Sequence, residues 1–158
     1  MTRAAERQAD KIRRPAPASS QAVASRMRLQ SRRDTGPELA IRRLLFARGF
    51  RYRVHYPVPQ KARRSIDIAF PKKRLAVFVD GCFWHGCRLH KTIPVANRGW
   101  WTTKIEANRR RDRETDAWLE EQDWAVCRIW EHESAEQAAR QVEARLRELS
   151  GRPTRIRA

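Results

Sequence analysis

The sequence predicts a single α/β domain, a mixed central β-sheet flanked by helices, and three observations carry that prediction. Residues 35–49 and 134–151 show helical periodicity between start and stop signals, and residues 65–70 and 75–79 read as two neighbouring strands. A long helical stretch, 99–122, then separates them from a last strand, 124–130. Helix, strands, helix, strand, helix is the order of an α/β layer structure.

Taken in order, residues 1–31 are rich in Ala, Ser, Arg and Pro and poor in large apolar side chains. They cannot bury enough surface to offset their ordering entropy, so a flexible basic arm is expected, either contacting phosphates or serving as a plain tail. Thr35 and Glu38 have capping-box spacing, ahead of Leu39, Ile41, Leu44, Leu45 and Phe46 and the terminating Gly49. Ser65–Phe70 alternates with period two, Leu75–Val79 is a short apolar run, and Pro71-Lys72-Lys73 between them suits a hairpin turn. From about Gly99 to Gln122, 100° per residue puts Trp101, Ile105, Asn108, Asp112 and Leu119 on one stripe, two of them polar where apolar residues belong. Trp124–Trp130 reads as a strand, and Ser134 with Gln137 forms a second box opening the last helix, which Gly151 ends. The domain is expected over 32–151, with a basic tail over 152–158.

The chain has 158 residues, and its 35 Lys and Arg against 18 acids give a formal charge of +17. That excess exceeds what solubility requires and points to a polyanion, nucleic acid first. No stretch approaches the roughly 20 apolar residues of a membrane span, and no secretory signal is evident, so an intracellular, cytoplasmic protein is expected. Three cysteines among histidines suggest thiols that are free or metal-bound rather than disulfides.

Chemistry-bearing residues concentrate just after the second strand. Cys82, Cys87 and His90, spaced C-x4-C-x2-H, supply three corners of a tetrahedral Zn²⁺ site. His132 is the candidate fourth ligand; Cys127 is its rival, although alternation with Ala125 and Ile129 gives Cys127 the pattern of a small buried apolar residue. A closed four-ligand site is structural, because catalytic zinc keeps a position open. Asp67, mid-strand between Ile66 and Ile68, and Asp80, at the end of the next strand, bring two carboxylates together. Solvent-facing or arginine-paired acids would look the same, but hard oxygen ligands of this kind suit Mg²⁺ at a phosphodiesterase site. His85 beside them is a candidate general base or acid. Phe83 and Trp84 in the cysteine loop, with Trp100 and Trp101 at the start of the long helix, cannot all face inward, and such apolar wedges can unstack a weakly paired base step.

Asp80 to Cys87, Asn97-Arg98 before Trp101, the Asn108 to Asp112 run and Trp130-Glu131-His132 together resemble the very short patch repair endonucleases, over about Ala24 to Gly151. The Gly81-Cys82-Phe83-Trp84-His85 segment is the most specific part of the likeness. The resemblance implies a restriction-endonuclease-like fold, a structural zinc held by Cys82, Cys87, His90 and His132, and Mg²⁺-dependent hydrolysis. It also implies a nick 5′ of the thymine in a T·G mismatch, the product of 5-methylcytosine deamination. By position, Asp67 resembles the metal-binding aspartate and Val79 would lend its carbonyl to the same metal. His85 resembles the catalytic histidine, and Asp80 stands beside the metal site where members vary between Asp and His. Asp112 resembles a supporting acid, and Glu38 a glutamate near the site whose capping role is equally adequate. Phe83, Trp84 and Trp101 would intercalate beside the mismatch.

Ile66 stands where members commonly carry proline, and no E-x-K run follows Asp80, so this family's variant of the nuclease site fits better than the general one. The expected partner is double-stranded DNA with a mismatch, met by a monomer associated with the nucleoid, with a cytosine-5 methyltransferase system and repair proteins as further partners. Two other readings stand beside it: a restriction-like nuclease of the same fold with another specificity, and a catalytically inactive, zinc-stabilised DNA-binding module.

Overall fold

The computed structural model describes residues 33–90 and 93–151; the arm expected over 1–31 and the tail over 152–158 lie outside the described residues. Among them three α-helices, four strands and one 3-10 turn follow in order: α1 (Gly36–Ala47), β1 (Arg53–Val58), β2 (Lys61–Phe70), the 3-10 turn Pro71–Lys73, β3 (Leu75–Asp80), α2 (Arg98–Glu121), β4 (Ala125–Trp130) and α3 (Ala135–Ser150). The sheet order is β1-β2-β3-β4, with β1–β2 and β2–β3 pairing antiparallel and β4 parallel to β3. The sheet is therefore mixed, as expected, because α2 carries the chain back across it before β4 begins.

Alternation along the strands builds a core on each face. Ile68, Phe70, Leu75, Val77, Cys127 and Ile129 pack with Ile41 and Leu45 of α1 and with Ala138, Ala139, Val142 and Leu146 of α3. On the other face Val58, Ile66, Ala69, Ala76, Phe78 and Trp124 pack with Leu119 of α2. The long-helix stripe also buries Trp101, Ile105 and Thr115. Cys127 belongs to the first core, as its alternation suggested.

Two elements depart from expectation. β1 was not foreseen: of its residues Arg-Val-His-Tyr-Pro-Val only Val58 is buried, so the segment lacks an alternating apolar face. It is an edge strand, where a proline and polar side chains are tolerated. The Thr35–Glu38 capping box does not form. The Thr35 hydroxyl donates to Glu38 (3.2 Å) instead of capping the helix, while Glu38 accepts from the Asp34 N–H (3.0 Å). The Ser134–Gln137 box forms completely.

One irregularity positions the site. Ile66 and Ile68, two apart, should share a face, yet Ile66 packs on the α2 side and Ile68 on the α1/α3 side. The reversal centres on Asp67 and on His55 across the ladder, whose φ of +49° lies in the left-handed region. The β2–β3 ladder spans Ile68–Val77 to Phe70–Leu75, and beyond it the Val79 N–H donates to the Asp67 carboxylate (2.9 Å). A side chain there takes the place of a backbone acceptor.

Candidate active site and metal centre

Asp67 is a half-buried carboxylate with a raised pKa of about 6. Burial is the main cause; the Val79 N–H opposes it, and the nearby charges of Glu38 and Asp80 add to it. Glu38 is 3% exposed, and Arg42, one turn later on α1, holds it through Nη2 at 3.0 Å. Arg42 also pairs with Asp34 and reaches the Asp67 carbonyl at 3.5 Å. α1 thus places a second acid, Glu38, near the distorted point of β2. Buried acids gathered with so few donors can lower their mutual repulsion by sharing a cation.

His85 lies in the loop after β3. Its Nδ1 is 2.6 Å from Asp112 Oδ2 on α2 and 3.7 Å from Asp80 Oδ1. Burial alone would lower the His85 pKa, but the hydrogen bond to Asp112 and the charges of Asp80 and Asp112 leave it above its ordinary value. Asp112 is correspondingly below its ordinary value: burial raises it, and His85 and Arg128 more than offset that. An ionised Asp112 accepts the Nδ1 proton, which fixes the tautomer and makes Nε2 the basic nitrogen. This accounts for a polar residue on the apolar stripe. Asn108, the other, donates to the Trp84 carbonyl (3.0 Å). Asp80 is 6% exposed, and both its oxygens accept from Arg128 Nη1, at 2.8 and 3.0 Å.

The loop winds tightly, with the Cys87 N–H donating to the Cys82 carbonyl at 2.8 Å. Gly86 has φ +64°, and a Cβ there would lie 2.9 Å from Ile105 Cγ2, so α2 can approach only because the residue is glycine. Arg109 of α2 ties down the same loop by donating to the His85 (3.0 Å) and Gly86 carbonyls. The turn brings Cys82, Cys87 and His90 together with His132, beyond β4, and their ligand atoms all lie within 4.8 Å of one another. Such a group can hold a metal ion. Glu131 closes it from behind, accepting the Cys82 N–H at 2.6 Å. The fourth member is thus His132 rather than Cys127.

Phe83, Trp84, Trp100 and Trp101 form one aromatic cluster, with Phe83 and Trp84 centroids 5.1 and 5.9 Å from that of Trp101. Trp101 is 3% exposed and forms the floor of this cluster, while Phe83 and Trp84 are half-buried.

A family model described as DNA mismatch endonuclease Vsr matches residues 18–91. Similar proteins include the type II nicking enzyme V.XorIIP of Xanthomonas oryzae pv. oryzae, 41% identical over 119 residues, which are 74% of this chain and 83% of that one. The type II nicking enzyme V.NaeI of Lentzea aerocolonigenes is 38% identical, over 73% of this chain and 71% of its own. This chain belongs to the Vsr endonuclease family. The DNA mismatch endonuclease Vsr of Escherichia coli is 34% identical over 66% of each chain. This Vsr-family member is therefore a DNA endonuclease, and among its described residues no helix is long and apolar enough to cross a membrane.

Sequence reasoning passed over several residues of the site of this Vsr-family enzyme. Arg128 is a lone charge between Cys127 and Ile129 in an apolar strand, the same kind of signal that singled out Asp67. Asp116 and Arg42 follow Asp112 and Glu38 at helical i+4 spacing, which places them on the same faces. Next to His85 a cleft of about 530 Å³ opens towards His132, with Arg88, Arg109, Arg113 and Arg128 among its lining.

Proposed function

We propose that this endonuclease nicks one strand of duplex DNA 5′ of the thymine in a T·G mismatch, by Mg²⁺-dependent hydrolysis. The observation that carries the reading is the meeting of two different acid groups at one end of β3: Asp67 with Glu38, and His85 held by Asp112. The first group suits a hard cation. Burial, with the charges of Glu38 and Asp80 adding to it, holds Asp67 near pKa 6, and a hard cation prefers one or two carboxylate oxygens. Asp67, with the Val79 carbonyl and Glu38 close by, would hold Mg²⁺, which when bound supplies charge stabilisation at the phosphate and lowers the pKa of a water. His85, with Nδ1 donating to Asp112, offers Nε2 to take a proton from the attacking water or return one to the leaving oxygen. Asp80, beside it, orients the same ring.

Zn²⁺ is the ion we assign to Cys82, Cys87, His90 and His132. Tetrahedral S₂N₂ ligation at zinc distances has edges of about 3.5 Å, and the S···N separations here are 3.1, 3.7, 3.8 and 3.8 Å. In the absence of a cation, burial and the neighbouring Cys87 push the Cys82 thiol up to about 11; a bound zinc would instead favour thiolates. A filled site of this kind has no open position, so its role is to anchor the loop that carries His85.

Mismatch preference would come from Phe83 and Trp84 entering the duplex with Trp101 as their base. Unstacking costs least where pairing is already weak. The type II nicking enzymes among the relatives favour a second reading, in which the flanking sequence directs the nick. Labelled duplexes with one T·G pair in varied flanks, beside matched T·A controls, separate the two. With Mg²⁺, a nick 5′ of the mispaired thymine, lost in EDTA and in Asp67→Ala, is the expected result. Equal cutting of the matched duplex would favour the second reading, and tight binding without cutting would favour a DNA-binding module.

A further inference from the structure

Arg128 is the residue whose position the catalytic reading leaves unexplained. It lies in β4 opposite Phe78 in the parallel ladder, and its guanidinium stacks over the Phe78 ring at 4.6 Å. Only 24% of its side chain is exposed. Burying a guanidinium in a small domain is costly unless each donor is matched, and here they are. Nη1 donates to both oxygens of Asp80, at 2.8 and 3.0 Å. Nε donates to both oxygens of Asp116, at 3.2 and 2.9 Å, and Nη2 donates to Asp116 Oδ1 at 2.8 Å. Nη2 also lies 3.5 Å from the Asp112 carbonyl and 3.7 Å from its Oδ1. One cation thus joins the end of β3 to successive turns of α2, and two of its carboxylates, Asp80 and Asp112, flank His85 Nδ1.

We propose that Arg128 is a positioning residue for strand cleavage, holding Asp80, Asp112 and Asp116 in one arrangement and thereby orienting the His85 ring without touching the DNA itself. The planar fork of an arginine can bridge carboxylates on two elements at once; a lysine can satisfy only part of that geometry. Removing the guanidinium leaves three acids to repel one another across the β3–α2 junction, and Asp112 is the one that His85 follows. The inference rests on the reading of His85 as the proton-transferring group, and it makes Asp80 an anchor of the site.

The test compares wild type, Arg128→Met, Arg128→Lys, Asp116→Asn, His85→Ala and the double variant His85→Ala with Arg128→Met, all as the full chain. Single-turnover nicking rate and duplex Kd are measured on whichever duplex the wild type cuts, with thermal melting to establish the folded fraction. Arg128→Met should lose about 10²-fold or more in rate with Kd within about threefold, because misplacement near the chemistry costs that much. Arg128→Lys should recover less than tenfold of this. Asp116→Asn, which keeps the fold with one acceptor fewer, should lose about 3- to 10-fold. In the His85→Ala background Arg128→Met should add little, since it acts through His85. Equal losses from Arg128→Met in both backgrounds, or a loss that merely tracks the folded fraction or Kd, would overturn the proposal while leaving His85 in place. An unimpaired His85→Ala would remove the reading of His85 first, and the proposal with it.

Discussion

At the scale of single residues, the site stores cost in Asp67. Its carboxylate is held at about 6 against an ordinary 3.8 by burial and by the acids around it. An acid raised in the folded state contributes stability that is present below the unfolded value and lost as pH rises through the folded one. In metal-free buffer the ionised group therefore destabilises the fold above about pH 6, by about 3 kcal/mol at most. Asp67→Asn keeps an oxygen to accept the Val79 N–H. It should melt higher than wild type at pH 7.5 in EDTA, lose that advantage near pH 4, and fail to nick. Adding Mg²⁺ should raise the wild-type midpoint and leave the variant unmoved; a variant less stable than wild type at pH 7.5 would contradict this account. His85 has the opposite chemistry: a base raised by Asp112 and Asp80 stabilises the fold below its unfolded pKa, and that contribution disappears as pH rises through the folded value. Asp112→Asn should thus shift the His85 titration downward, visible in its imidazole NMR signals, and slow nicking about 10²- to 10³-fold.

At the scale of elements, the loop from Gly81 to His90 is tied at its middle by Arg109 and Asn108 of α2, and its Cys82, Cys87 and His90 converge with His132. Gly86→Ala should destabilise by about 2 kcal/mol or more, combining a left-handed φ with a side chain pressed on Ile105. Chelating the proposed Zn²⁺ should lower the melting midpoint by on the order of 10 °C and abolish nicking, with Zn²⁺ rather than Mg²⁺ restoring the midpoint and both ions needed to restore nicking. A midpoint indifferent to chelator would show that the four side chains hold nothing structural. This loop was legible in the sequence because Cys82, Cys87 and His90 are close along the chain and the polar residues around it break local rules. Asp67 interrupts a strand, and Asn108 and Asp112 interrupt an apolar stripe. β1 was not legible, since an edge strand needs no apolar face. Nor was the Asp67 distortion, which is set by His55 across the ladder and by Val79 N–H from β3. Arg128 lay between the two cases: its oddity is local, but its meaning depends on Asp80 and Asp116 in other elements.

At the scale of the molecule, charge and chemistry have opposite signs. The chain carries +17 overall, yet the acids gather around Asp67 and His85, so on the proposed reading the phosphate backbone would be drawn in by the surroundings and cut at a locally acidic point. Binding to duplex DNA should then be dominated by counterion release. With about 6–10 phosphates contacted, affinity should fall about 10³- to 10⁵-fold between 50 and 200 mM salt, for matched and mismatched duplexes alike. The ratio of the two affinities should hardly move, because the discrimination proposed above lies in unstacking and stacking at one base step. Residues 1–31 contain Arg3, Arg7, Lys11, Arg13, Arg14, Arg26 and Arg28 against Glu6 and Asp10. If that arm lies on phosphates, a chain beginning at residue 32 should bind with a shallower log Kd against log salt slope, by about one for each contact removed. It should retain its mismatch ratio and its single-turnover nicking rate at saturation. An unchanged slope would make the arm a plain tail and confine the electrostatic footprint to the folded domain.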